Sequence, residues 1–143
     1  MLLIKDTVSN SYAGIPLPFS FPYNEDGSSA YGSPEALGWV QRANIASQHG
    51  TSLEDLAFLA NDCHYCVRVA VAKSLRSSQK ILDKLTVDSN RCVRAAVAAN
   101  PNISLTLLMS LENDGDEWVR QTAIENLTFA RNETAMKAVG IAA

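Results

Sequence analysis

Apolar positions in this chain follow a helical rhythm from Ser33 onward. Leu53, Leu56, Leu59 and Ala60 fall on one face of a helix, and Val67, Ala70 and Val71 do the same a few residues later, across a tight polar turn. The chain then repeats itself at an offset of 26 residues. Leu56, Leu82 and Leu108 align, as do Leu59, Leu85 and Leu111, then Asp62, Asp88 and Asp114, then Val67-Arg68, Val93-Arg94 and Val119-Arg120. After each Val-Arg comes a small or apolar pair, Ala70-Val71, Ala96-Val97 and Thr122-Ala123, while Arg42, Ile45 and Ala46 carry a fainter copy upstream. Each unit is expected to be a helical hairpin. Ser78, Ser104 and either Thr51 or Ser52 stand where the first helices need N-caps, and Asn100-Pro101 ends one second helix. A single hairpin cannot hide its apolar face, so the expected fold is all-α, a stack of about three to four such hairpins sharing one core.

The segment before Ser33 follows other rules. Pro16, Pro18 and Pro22 exclude a helix there, and Asn24-Glu25-Asp26-Gly27-Ser28-Ser29 has turn chemistry. Residues 1–33 are therefore expected to be an extended or flexible leader, and residues 34–143 the helical repeat domain, with Ser33 as first N-cap, Pro34 at the first helical position and Glu35 in the first turn. Two readings of the leader stand. It is either a mobile terminus, or an extended cap that lays Ile15, Leu17, Phe19 and Phe21, at every second position, over the first repeat.

Composition narrows the function classes. With 143 residues, 47% of them hydrophobic and 19% charged, the chain can bury a core without a disulfide or metal staple, and its net charge of -3 argues against a polyanion-binding protein. No apolar run approaches the length of a signal-peptide core or a membrane span, so a cytoplasmic location is the expectation. Cys63, Cys66 and Cys92 are then read as reduced thiols.

The recurrence of Asp62, Val67 and Arg68 as Asp88, Val93 and Arg94 and as Asp114, Val119 and Arg120 resembles the signature of HEAT repeats. The short period and the run Val93-Arg94-Ala95-Ala96-Val97-Ala98-Ala99-Asn100-Pro101 resemble still more closely the leucine-rich repeat variant, a compressed HEAT-like unit. The resemblance spans about residues 36 to 130 and implies a short right-handed α-solenoid. It also implies that Asp62, Asp88 and Asp114 with Arg68, Arg94 and Arg120 form a structural ladder between adjacent units. Fold alone does not settle function.

Several chemistries can be weighed on these residues. Cys63-His64-Tyr65-Cys66 has thiols at metal-ligand spacing, with Cys92 and His64 or His49 as further candidate ligands for zinc or an iron-sulfur cluster. Cys66, Cys92 and Trp118 occupy equivalent repeat positions, however, and Trp118 is no ligand, so the column is read as apolar filler beside the turn and no cofactor is expected. No phosphate-binding Gly-rich loop, His-Glu-x-x-His helix or nucleophile elbow occurs, so no catalytic residue is assigned and the chain is not expected to be an enzyme. The second helices are expected to expose Val69, Ala95 and Gln121 in one column and Lys73, Ala99 and Glu125 in another. This surface is close to neutral, which disfavours a nucleic-acid groove and suits a peptide or helix from a protein partner. The Pro-rich leader is a second candidate recognition element, through Pro16-Leu17-Pro18. The apolar C-terminal residues Ala138, Val139, Ile141 and Ala142 are a candidate homo-oligomer contact.

Overall fold

The computed structural model of the chain describes residues 38–140. The leader, the expected helix start at Ser33 and Pro34, and Ile141 and Ala142 lie outside the described residues. Within them are seven α-helices and no strand: α1 (Trp39–Ser47), α2 (Leu53–Leu59), α3 (Tyr65–Lys73), α4 (Gln79–Thr86), α5 (Arg91–Ala98), α6 (Leu105–Leu111) and α7 (Glu117–Ala138). None of them is long and apolar enough to cross a membrane.

Helices of seven to nine residues are too short to persist alone in water, so local signals place them and packing stabilises them. The starts of α2, α4 and α6 are set by Ser52, Ser78 and Ser104, whose hydroxyls accept the N–H of Asp55, Ile81 and Leu107. Ser52 rather than Thr51 is therefore the cap, and its hydroxyl also donates to the Asp55 carboxylate at 2.8 Å. The starts of α3, α5 and α7 are set by His64, Asn90 and Asp116, which accept the N–H of Cys66, Cys92 and Trp118. These second caps also recur at the 26-residue interval, in three different residue types that can all accept a hydrogen bond.

Helix α3 packs between α1 and α5, and α5 between α3 and α7, so the odd-numbered helices form a row; α2, α4 and α6 each pack against the odd-numbered helices that flank them in the chain. The recurring leucines and valines meet in one core: Leu56, Leu82 and Leu108 and Val67, Val93 and Val119 are all at most 2% exposed. Burying each such side chain contributes about 1.5–3 kcal/mol. Two features depart from the expected pattern. Leu53 is exposed rather than core-facing, because it sits a turn before Leu56 at the outer edge of α2. The last helix does not stop after nine residues as α3 does: α7 runs for 22 residues, and Val139 just beyond it is solvent-exposed.

Candidate functional site

The Asp and Arg columns join successive turns. Arg42, Arg68 and Arg94 each point a guanidinium fork at the carboxylate twenty residues ahead, on Asp62, Asp88 and Asp114, with Nε to Oδ2 at 2.6, 2.6 and 2.8 Å and Nη2 to Oδ1 at 3.0 Å in each. The third guanidinium nitrogen reaches backwards: Nη1 of Arg68, Arg94 and Arg120 donates to the carbonyl of Asp62, Asp88 and Asp114 at 2.7, 2.7 and 2.6 Å. Each Asp has a second task, its Oδ1 accepting the N–H two residues on, at His64, Asn90 and Asp116. Arg68 and Arg94 thus tie the turn before their own helix to the next turn along. Arg120 pairs instead with Glu117 on its own helix, and Arg42, which the sequence marked only as a faint copy, makes the first rung.

These bonds tune the charges. Burial pushes the Asp88 carboxyl up, but the Arg68 hydrogen bond, the Asn90 N–H and the charges of Arg68 and Arg94 together hold it below the usual carboxylate range. Asp114 is held low first by its hydrogen bond from Arg94, against burial. Their partners Arg68 and Arg94 are shifted upward, chiefly by the same hydrogen bonds.

A second set of rungs went unread in the sequence, although Asn100 and Asn126 stand 26 residues apart. The Asn100 amide, 1% exposed, donates to the carbonyls of Ala72 and Ser74 at 2.7 and 3.1 Å, and Asn126 donates to those of Ala98 and Asn100 at 2.8 and 3.5 Å. Carbonyls at and just beyond the ends of α3 and α5 are thus satisfied by the next unit along the row, through Asn100 just after α5 and Asn126 within α7. Ion pairs near the helix starts and amides near the helix ends pin the row at both sides.

Between these fixed lines lies a cleft of about 400 Å³ across α3, α5 and α7. Ala95, Ala96 and Ala99 of α5 lie along its middle. Tyr65, Cys66 and Val69 line it from α3, and Trp118 and Thr122 from α7. Lys73 is the charged residue of the lining. Tyr65 and Trp118 are 42% and 52% exposed, so two large aromatic faces are available at the rim. Beside Tyr65, His64 stacks its ring at 5.4 Å and carries Trp39 on its other side at 4.4 Å, which holds the N-terminal edge of α3 in place. The Tyr65 phenol is pushed above its ordinary value, chiefly by the neighbouring Cys66 side chain.

The surface columns expected from the sequence need correcting. Val69, Lys73, Ala95 and Ala99 do line the cleft, Ala95 from its floor at 2% exposure. Gln121 and Glu125 are exposed away from it and bond each other at 3.2 Å. Cys66, Cys92 and Trp118, taken as filler beside the turn, line the cleft instead. Cys63, Cys66 and Cys92 are free thiols, and no cluster of three metal-binding side chains exists among the described residues. His64 spends Nδ1 as a helix cap.

Comparison with protein-family models, curated proteins and solved structures finds no match for this chain.

Proposed function

We propose that the helical pairs form a short right-handed α-solenoid of HEAT-like kind, and that the chain is a binding module that holds a segment of a protein partner in the cleft across α3, α5 and α7. The observation that carries this is the lining: alanines in the middle, exposed aromatics at the rim, and one cation. Small middle residues let a backbone or an apolar side chain come close, and Tyr65 and Trp118 are the residue types that most often anchor an interface. Lys73 favours a segment with a carboxylate near one end. The rungs keep the cleft preformed, which reduces the ordering cost of binding.

Phosphate recognition has less support. Arg68 and Arg94 already face carboxylates, and Arg91 is paired with Asp116 at 3.4 Å. That leaves Lys73 as the cation of the lining, where a nucleic-acid groove would need several.

Selection of displayed peptides on the wild-type chain, counter-selected on Ala99→Arg, tests this. Peptides with aromatic or aliphatic anchors and an acidic residue should emerge. Trp118→Ala should weaken them by at least about tenfold, the effect of losing one anchor side chain, with an unchanged melting temperature. Peptides that bind both variants equally, or salt-sensitive binding of DNA or RNA to the wild type, would refute the proposal.

A further inference from the structure

The column of arginines ends on a fork whose counterpart is missing. In Arg42, Arg68 and Arg94, Nε and Nη2 hold the carboxylate twenty residues ahead, on Asp62, Asp88 and Asp114. Twenty residues ahead of Arg120 stands Gly140, which has no side chain. The guanidinium is anchored at the same corner all the same: Nη1 of Arg120 donates to the Asp114 carbonyl at 2.6 Å, as Nη1 of Arg94 does to that of Asp88 at 2.7 Å. Among the described residues its Nε meets no carboxylate, and Nη2 reaches Glu117 one turn back at 2.9 Å. The Glu117 side chain is 88% exposed, and an exposed pair at this spacing gives way readily to a better placed acceptor.

The surroundings of this fork are those of an unfinished stack. Ile124 is 43% exposed, whereas Ala72 and Ala98, at the same place in α3 and α5 with a further helix beside them, are fully buried. In the other layer, Gln79 shows which way the first position of each helix looks. Its amide donates to the Asn102 carbonyl and accepts the Ser104 N–H, in the turn that leads to α6. Leu105 takes that place in α6 and is 57% exposed, and Met109 one turn on is 55% exposed.

A carboxylate alone would answer the fork and leave three large apolar side chains wet. An apolar helix alone would cover those side chains and strand a guanidinium in a drier place. A helical hairpin with an acidic residue where its helices join answers both, as each unit of this chain does for the unit before it. A second copy of the chain fits poorly, because its Asp62, Asp88 and Asp114 already hold arginines of their own.

We propose that the C-terminal end of the row is a docking face, separate from the cleft, for a helical hairpin of another protein. The turn of that hairpin presents a carboxylate to Nε and Nη2 of Arg120, and its helices cover Ile124, Leu105 and Met109.

Selection on the full chain from a displayed library of helical hairpins, randomised in the turn and on one face, tests this. Hairpins that bind should carry Asp or Glu at the start of the turn and small or apolar residues on the facing helices. Arg120→Met should weaken them by at least about tenfold, and Arg120→Lys, which keeps the charge without the fork, should recover only part. Glu117→Gln removes the competing acceptor and leaves the rungs alone, so it should strengthen the same hairpins about two- to fivefold at an unchanged melting temperature. Ile124→Glu should abolish binding, while Ala99→Arg in the cleft should leave it as in wild type, which keeps this outcome apart from that of the cleft. Failure to select any hairpin, hairpins without an acidic turn, or hairpins indifferent to Arg120→Met and Glu117→Gln would overturn the proposal. So would sedimentation showing a dimer that Ile124→Glu dissolves, since a second copy would then occupy the face.

Discussion

Replacing Asp88 by Ala removes the centre of the middle rung. Arg68 loses both carboxylate bonds, at 2.6 and 3.0 Å, and the Asn90 N–H loses its acceptor at 2.8 Å. A fully buried pair broken on one side costs about 3–5 kcal/mol. Here the Arg68 side chain is 15% exposed, and its Nη1 keeps the carbonyls of Asp62 and Cys63, so water and backbone take up part of the charge. The expected loss is about 2–3 kcal/mol, or a fall in Tm of about 10 °C for a chain of this size. Urea unfolding followed by circular dichroism measures it directly. Two companions locate the cause. Asp88→Asn keeps an acceptor for the turn but removes the charge, and should lose roughly half as much. Arg68→Met with Asp88→Leu removes both charges and should fall well short of the single Asp88→Ala loss. The exposed pair Arg91 and Asp116, with Arg91 64% exposed, is the control, and Arg91→Ala should cost under about 1 kcal/mol. An Asp88→Ala chain within about 0.5 kcal/mol of wild type, or no more affected than Arg91→Ala, would refute the view that the rungs hold the row together.

The other expectations are briefer. Asn100→Ala leaves the carbonyls of Ala72 and Ser74 without their donor in a buried place, and should cost about 2–3 kcal/mol by chemical denaturation, whereas Asn113→Ala, on an exposed turn, should cost little. Leu82→Ala opens a cavity in the middle of the core, and its expected loss of about 2–5 kcal/mol is read in the same assay. Asp88 and Asp114 titrate below the usual carboxylate range in the folded chain, so the unfolded chain binds protons first as the pH falls. Their stabilisation is complete above about pH 5, begins to fall near the unfolded value of about 3.9, and is lost as the pH passes their lower folded values. Melting curves from pH 7 to pH 2 should show that window, and Asp88→Asn should flatten it.

Local signals placed most of the helices. The 26-residue interval, the leucine and valine columns and the serine caps are written in neighbouring residues, because helix periodicity and capping act within one or two turns. The same interval holds Asn100 and Asn126, and the trio His64, Asn90 and Asp116; Asn100 reads locally as a helix stop and the trio differ in type, so what their side chains bond is decided by the packed chain.

Only the packed chain decided how each short helix is turned about its own axis. A rotation of a few tens of degrees exchanges a buried position for an exposed one, and in helices of seven to nine residues that angle is set by the neighbouring helices rather than by the helix's own sequence. That is why Leu53 faces solvent, Ala95 lies on the cleft floor, and Cys66, Cys92 and Trp118 line the cleft. The partner of each arginine was likewise a tertiary matter. The columns of Asp and Arg could be read along the chain, but that Arg68 points its fork forward to Asp88, while giving its third nitrogen back to the Asp62 carbonyl, depends on two turns meeting across a helix packing that no local pattern specifies.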